Sequence, residues 1–233
     1  MLDDVLKRNA LAYGGTRRIA ANFLVGGVAW AVGGVPLALM TTERHAIAPD
    51  PDATFLQIDA RGEARGTLYD DPSFCVLAGE PAARGGLASV AENVSEMHEW
   101  MRSRLVISLT PFVDALSDIT NLSRRGLWGQ IMSSCGSVIV WAAQLVEKGT
   151  AGIEEAEAFL KGPGPAFLDR PSFYRLHIRG EELVAMRRRV CCLAYKLADS
   201  PYCSSCPLIS DEERESRHRE EWNAAQKEAA DSQ

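Results

Sequence analysis

The chain has 233 residues, of which 46% are hydrophobic and 24% are charged, and its formal net charge is −6. This apolar fraction excludes a disordered chain, and the acidic balance argues against binding to nucleic acid or to an anionic membrane surface. Six cysteines are too few for a disulfide scaffold. Four of them nevertheless lie between Cys191 and Cys206, and this clustering points to metal chemistry.

The first part of the chain is predicted to be helical. Residues 2–12 have a weak helical pattern, and the stretch from Ile19 to Met40 carries no charge. That stretch is long enough to span a membrane or to serve as a signal peptide. Its glycine pairs and Pro36 instead favour two short buried helices that meet near Gly33. We therefore expect a cytoplasmic protein whose association with membranes is at most peripheral.

The helical periodicity then gives way to three candidate strands, at 54–58, 66–69 and 74–77. The turn signal at Arg61-Gly62 separates the first two segments. The sequence therefore predicts a small antiparallel sheet near residues 53–78.

The central part returns to helical periodicity. Apolar residues from Leu87 to Leu105 fit one helix, and Thr110-Pro111 is predicted to start the next. Ser123 is predicted to cap a further helix that ends before Gly149. One side of this helix carries only small residues, among them Gly129 and Gly136. We expect another helix to pack against that side, although a bulky group such as a cofactor would also fit.

The last part holds a short helix, a break, a hairpin and a tail. The helix covers 151–160, and the break is Gly162-Pro163-Gly164-Pro165. Alternation from Tyr174 to Ile178 predicts a strand whose return over 183–190 leads directly into Cys191, although 181–189 could also form a helix. The tail from Ser210 onward opens with a capping-box pattern and is predicted to be an exposed helix.

Together these elements predict a predominantly helical α+β fold that ends in a cysteine-rich segment. We divide the chain into a mostly helical region at 1–162, a hairpin and cysteine segment at 163–210, and a charged tail helix at 211–233. The second region is expected to pack on the first as one unit.

The four clustered cysteines are Cys191, Cys192, Cys203 and Cys206. A C-x-x-C loop such as 203–206 can chelate a metal, but consecutive residues on a strand point to opposite faces. The vicinal pair therefore requires either a sharp kink or a group larger than one ion, and a two-iron cluster suits this spacing better than one tetrahedral zinc. Structural zinc and a thioredoxin-like redox pair remain alternatives. Cys75 and Cys135 lie on apolar stripes and are predicted to be core residues.

The segment from Arg188 to Lys196, together with Tyr202 to Leu208, resembles the C-terminal signature of FhuF-like ferric siderophore reductases. That family carries a C-C-x10-C-x2-C pattern, and the spacing here is the same. The Leu127-Trp128-Gly129-Gln130 segment is a looser match, because relatives often have Asn at the position of Gln130. The resemblance implies that Cys191, Cys192, Cys203 and Cys206 bind a [2Fe–2S] cluster.

The resemblance also implies an activity: an oxidoreductase that passes one electron from this cluster to a ferric siderophore and releases Fe(II) for iron assimilation. The sequence contains neither a dinucleotide-binding nor a Walker A motif, so the expected electron donor is a separate ferredoxin or flavin reductase. Arg187, Arg188 and Arg189 are candidates for tuning the cluster or contacting the substrate, but they could equally be ordinary solvated residues. A zinc-stapled interaction module or an iron–sulfur sensor without reductase activity remains the alternative.

Overall fold

The computed structural model describes residues 1–146 and 151–231. Its helices are α1 (Leu2–Tyr13), α2 (Arg17–Glu43), α3 (Val94–Thr120), α4 (Arg124–Leu145), α5 (Ala151–Leu160) and α6 (Asp211–Asp231). Its strands are β1 (His45–Ala48), β2 (Thr54–Ile58), β3 (Ala64–Tyr69), β4 (Ser73–Leu77), β5 (Ser89–Ala91), β6 (Ser172–Ile178) and β7 (Glu181–Arg187). This is a predominantly helical α+β fold, as predicted.

The main core is helical. Apolar side chains of α2, α3, α4 and α5 are buried against one another, and α1 covers one end of this group. Phe173 of β6 belongs to the same buried cluster. The cysteine-bearing part of the chain is therefore anchored in the helical core, although the proposed division into three regions remains a prediction.

The prediction of two short helices over Ile19–Met40 is wrong, because α2 is one continuous helix of 27 residues. Pro36 cannot donate a hydrogen bond to the carbonyl of Val32. The hydroxyl of Tyr69 on β3 donates to that carbonyl at 2.8 Å, and Thr67 on the same strand donates to the carbonyl of Ala31 at 2.7 Å. Tyr69 thus satisfies the carbonyl that the proline leaves free, and the helix continues.

Helix α2 is also the only helix in the described ranges that is long and apolar enough to cross a membrane. Half of its most apolar 18-residue window is buried inside the protein. Its N-cap is Thr16, whose hydroxyl accepts a hydrogen bond from the Ile19 amide.

The helix boundaries in the central part also differ from the prediction. Asn93 caps α3 by accepting a bond from the Glu96 amide at 3.1 Å, and Val90 lies in β5 rather than in a helix. Thr110-Pro111 does not start a new helix, because α3 runs through both residues and the Thr110 hydroxyl bonds back to the Val106 carbonyl.

The capping prediction at Ser123 is confirmed, because the Ser123 hydroxyl accepts from the Gly126 amide at the start of α4. Helix α4 ends at Leu145. The predicted stop signal at Gly149 lies outside the described residues.

Within the described ranges, the strands form three small sheets rather than one. β2 and β3 make the predicted antiparallel hairpin, but β4 leaves it to pair antiparallel with β1 and parallel with β5. The predicted hairpin before the cysteines is confirmed as β6 and β7, paired from Ser172↔Arg187 to Ile178↔Glu181. The helical alternative for residues 181–189 is therefore excluded.

The predicted tail helix is α6, and Ser210 accepts a hydrogen bond from the Glu213 amide as its capping box requires. Most of the helix is exposed, but Trp222 packs on the outer face of the β6–β7 hairpin. The tail therefore holds the hairpin from the side opposite to the helical core.

Candidate metal centre

Two turns of the chain present the four clustered cysteines. The first turn follows β7 and carries Cys191 and Cys192, and the second is the 203–206 loop, closed by a bond from the Cys206 amide to the Cys203 carbonyl at 3.0 Å. The Arg188 amide donates to the Ser205 carbonyl at 3.0 Å. This bond places the two turns side by side, so the hairpin brings all four thiols into one region.

The vicinal pair is accommodated by a kink. Leu193, directly after Cys192, has a φ of 64°, in the left-handed region that bulky residues rarely adopt. Its amide donates to the Cys191 sulfur at 3.4 Å. The sequence allows either a sharp kink or a larger bound group at this pair, and the chain has a kink directly after it.

Hydrogen-bond donors point at the sulfurs. Besides the Leu193 amide, the Leu208 amide donates to the Cys206 sulfur at 3.4 Å, and the Ser205 hydroxyl lies 3.8 Å from the Cys203 sulfur. Donors of this kind stabilise thiolates, the form in which cysteine binds metals.

The thiols also interact with one another. The Cys192 thiol donates a hydrogen bond to Cys203, which lowers the pKa of Cys203 and raises the pKa of Cys192. Cys203 further contacts Cys206, where burial raises the pKa of the thiol. None of the six cysteines forms a disulfide. Cys203 of the second turn is therefore in contact with Cys192 of the first, and all four thiols are free of disulfides.

The three candidate arginines have different environments. Arg188 is partly buried, its charge acts on Cys192 and Cys203, and its guanidinium donates to the Gln130 side chain on α4 at 3.4 Å. Arg187 instead pairs with Asp211 at 3.2 Å. Arg189 is exposed, and its charge acts on Asp169. Of the three, Arg188 is the one placed to influence the cysteines.

Sequence reasoning missed Arg214, which is completely buried on the first turns of α6. Its guanidinium donates to the carbonyls of Cys206 at 2.8 Å and Ile209 at 2.9 Å and pairs with Asp211. A buried charge needs such partners. The surrounding sequence is a run of charged residues, and nothing in it distinguishes this arginine from its solvated neighbours.

Two tyrosines flank the cysteines in sequence, and the structure stacks them on each other. The rings of Tyr195 and Tyr202 lie 5.0 Å apart, and α6 holds this loop through a bond from Arg217 to the Tyr202 carbonyl. Cys75 and Cys135 are both buried in the helical and sheet core, as predicted. The predicted core residues are thus separate from the clustered four.

The donor set fits a two-iron cluster. In the described ranges, no three His, Cys, Asp or Glu side chains are grouped around a position for one metal ion. The sulfurs are supplied by two turns, two from each, and amides are aimed at them. A [2Fe–2S] cluster takes two protein ligands on each iron, and hydrogen bonds to its sulfurs tune its potential. Cys191, Cys192, Cys203 and Cys206 are the residues that could hold it.

Comparison with known proteins agrees with this geometry. Residues 188–208 match the family described as the FhuF 2Fe-2S C-terminal domain, so this segment is a [2Fe–2S]-binding domain. The match spans both cysteine turns and includes Arg188. A search of curated proteins finds no match to the chain.

Proposed function

We propose that the protein is a ferric siderophore reductase in which Cys191, Cys192, Cys203 and Cys206 hold a [2Fe–2S] cluster. The observation that carries the proposal is the meeting of two cysteine turns inside the matched segment. When bound, such a cluster supplies a single electron at a potential set by its surroundings. Cytoplasmic iron assimilation is part of the proposal.

The residues around the cysteines favour acceptance of that electron. The Leu193 and Leu208 amides donate to sulfur, and Arg188 adds positive charge beside Cys192 and Cys203. Both effects stabilise added negative charge. Because Cys191, Cys192 and Cys203 are only partly buried, an electron can be exchanged with a molecule bound at the surface.

The substrate follows from the chemistry of iron. Siderophores bind Fe(III) through hard, anionic oxygen donors, and Fe(II) binds those donors more weakly. One electron converts Fe(III) to Fe(II), and the freed oxygen donors take up protons from water. The electron comes from an external ferredoxin or flavin reductase. The reaction needs no nucleophile or acid–base pair from the protein.

The cysteine assignment is tested by replacing one ligand and one core thiol. Cys203→Ser removes the sulfur that contacts both Cys192 and Cys206, so we expect loss of bound iron and inorganic sulfide. Cys75→Ser, the same substitution at a core thiol, should leave both contents unchanged. Wild-type protein prepared anaerobically that holds zinc and no sulfide would instead favour the zinc-stapled alternative.

A further inference from the structure

A cavity of about 230 Å³ adjoins the cysteine site. It lies between the first turns of α2, the start of α4 and the turn that follows β7. Its walls include Arg18, Asn22, Leu122, Ser123, Leu127 and Cys191. A ligand in this cavity would therefore touch a residue that we assign to the cluster.

The cavity has one charged side chain in its wall, that of Arg18. Arg18 is exposed, and within the described part of the chain it forms no ion pair. The neighbouring arginines are engaged: Arg17 pairs with Asp3, and Arg125 pairs with Asp169. Arg18 is thus a free cation beside an otherwise largely apolar wall.

The polar part of the wall is fixed in place. The amide of Asn22, which is 7% exposed, donates to the Arg18 carbonyl at 2.9 Å. Its oxygen accepts from Gln130 at 3.4 Å, and Gln130 in turn accepts from Arg188. A continuous chain of hydrogen bonds therefore runs from the cavity to the arginine beside Cys192 and Cys203. Hydrogen bonds thus connect the cavity wall to the residues around the cysteines.

We propose that this cavity receives the edge of a negatively charged Fe(III) chelate, with Arg18 as its cationic contact. This inference rests on the proposed function. The cavity is smaller than the 300–1,000 Å³ or so that encloses a drug-sized ligand, so it holds one edge of a chelate and leaves the rest in solvent. The opposite charges of Arg18 and the chelate steer binding and favour anionic chelates over neutral ones.

Gallium chelates test binding without reduction, because Ga(III) has the charge of Fe(III) but does not accept the electron. The titrant is a Ga(III) tris-catecholate, which carries three negative charges, added to the full-length, cluster-loaded protein in a calorimeter. Arg18→Glu should weaken binding roughly tenfold or more, whereas Arg18→Lys should retain most of it. The same Arg18→Glu change should alter binding of a neutral Ga(III) tris-hydroxamate less than about threefold.

The matched control is Arg84→Glu, which changes the net charge equally. Arg84 is exposed on the turn at Pro81–Gly85, near a groove that includes Leu39 of α2. Leu39 lies about 30 Å along the helix from Arg18 at a rise of 1.5 Å per residue. Arg84→Glu should therefore leave chelate binding within about twofold of wild type.

The inference is overturned if the tris-catecholate binds equally to wild type and to Arg18→Glu. If that variant also accepts electrons more slowly from an acidic donor protein, Arg18 is instead part of a protein docking surface. Equal binding leaves the proposed function standing if ferric chelates still reoxidise the reduced protein. Conversely, if gallium binding depends on Arg18 but ferric chelates are not reduced, the cavity binds the chelate and the proposed reductase function fails.

Discussion

At the scale of single residues, Arg214 holds the second cysteine turn in place. It is the largest completely buried side chain in the described ranges, and its guanidinium bonds two carbonyls of the 206–209 segment. Removing one partner from a buried charged network leaves the other groups unsatisfied. The cysteine turn therefore depends on a residue of the tail helix.

Arg214→Met tests this dependence. We expect a loss of about 2–4 kcal/mol in the free energy of unfolding, because two buried carbonyls lose their donor. We also expect faster removal of iron by an external chelator. Urea denaturation and the decay of visible absorption measure the two effects. Arg219→Met is the control, because Arg219 lies on the same helix and donates to the His177 carbonyl from an exposed position. This substitution should lower the free energy of unfolding by less than about 1 kcal/mol.

Arg188 is expected to act on the cluster electrostatically rather than on the fold. Its charge lies close enough to affect Cys192 and Cys203, so Arg188→Met should make the midpoint potential more negative by roughly 30–60 mV. Gln130→Leu should shift the potential in the same direction by a smaller amount, because it releases the Arg188 guanidinium. Arg189→Met is the control and should shift it little. Spectroelectrochemical titration measures these values, and equal shifts for Arg188→Met and Arg189→Met would refute the assignment.

At the scale of elements, the small-residue side of α4 positions the cysteine turn. The expectation that another helix packs there is met at Ser134, whose hydroxyl contacts the Gly26 carbonyl of α2. At Gly129, however, an added Cβ would lie 2.7 Å from a methyl of Val190. Val190 directly precedes Cys191, so the absence of a side chain at 129 lets the cysteine turn approach the helix closely.

Gly129→Ala should therefore disturb the site through α4. We expect a loss of about 1–3 kcal/mol of stability from overpacking and faster loss of iron to a chelator. Gly34→Ala on α2 is the matched control, because an added Cβ there meets no atom nearer than 4.0 Å. That change should stabilise the helix by up to about 1 kcal/mol. Unfolding by urea compares the two variants, and a stable Gly129→Ala protein that retains iron normally would contradict the packing account.

The elements also show where sequence patterns suffice and where they do not. The β6–β7 hairpin, the cap at Ser123 and the clustered cysteines could be predicted because each depends on local alternation, local hydrogen bonding or spacing. Pro36 and Pro111 both lie inside continuous helices, although the sequence predicts a helix boundary near each of them. At Pro36 a distant strand supplies the hydrogen bond that the proline removes from α2, and no local pattern records that strand. The burial of Arg214 and the closeness of Arg18 to Cys191 depend on tertiary contacts that no local pattern records.

At the scale of the whole molecule, the cysteine segment is held from two sides. Phe173 on one face of the hairpin is buried in the helical core, and Trp222 of α6 packs against the other face. The acidic tail helix, which first looked like a solvated appendage, therefore supports the metal site through Arg214 and the hairpin. The hairpin that leads into the first cysteine turn is therefore packed on both faces, and the tail helix bonds the second turn directly.

A single-turnover experiment can follow the proposed transfer of electrons from this site to siderophore iron. Cluster-loaded protein is reduced anaerobically, freed of reductant and mixed in a stopped-flow instrument with a ferric siderophore and the Fe(II) indicator ferrozine. We expect the visible absorption of the oxidised cluster to return at the rate at which Fe(II) forms, with one Fe(II) for each stored electron. Cys203→Ser should give neither signal. Reoxidation no faster than in buffer, with no Fe(II) formed, would contradict the proposed transfer and favour an iron–sulfur sensor.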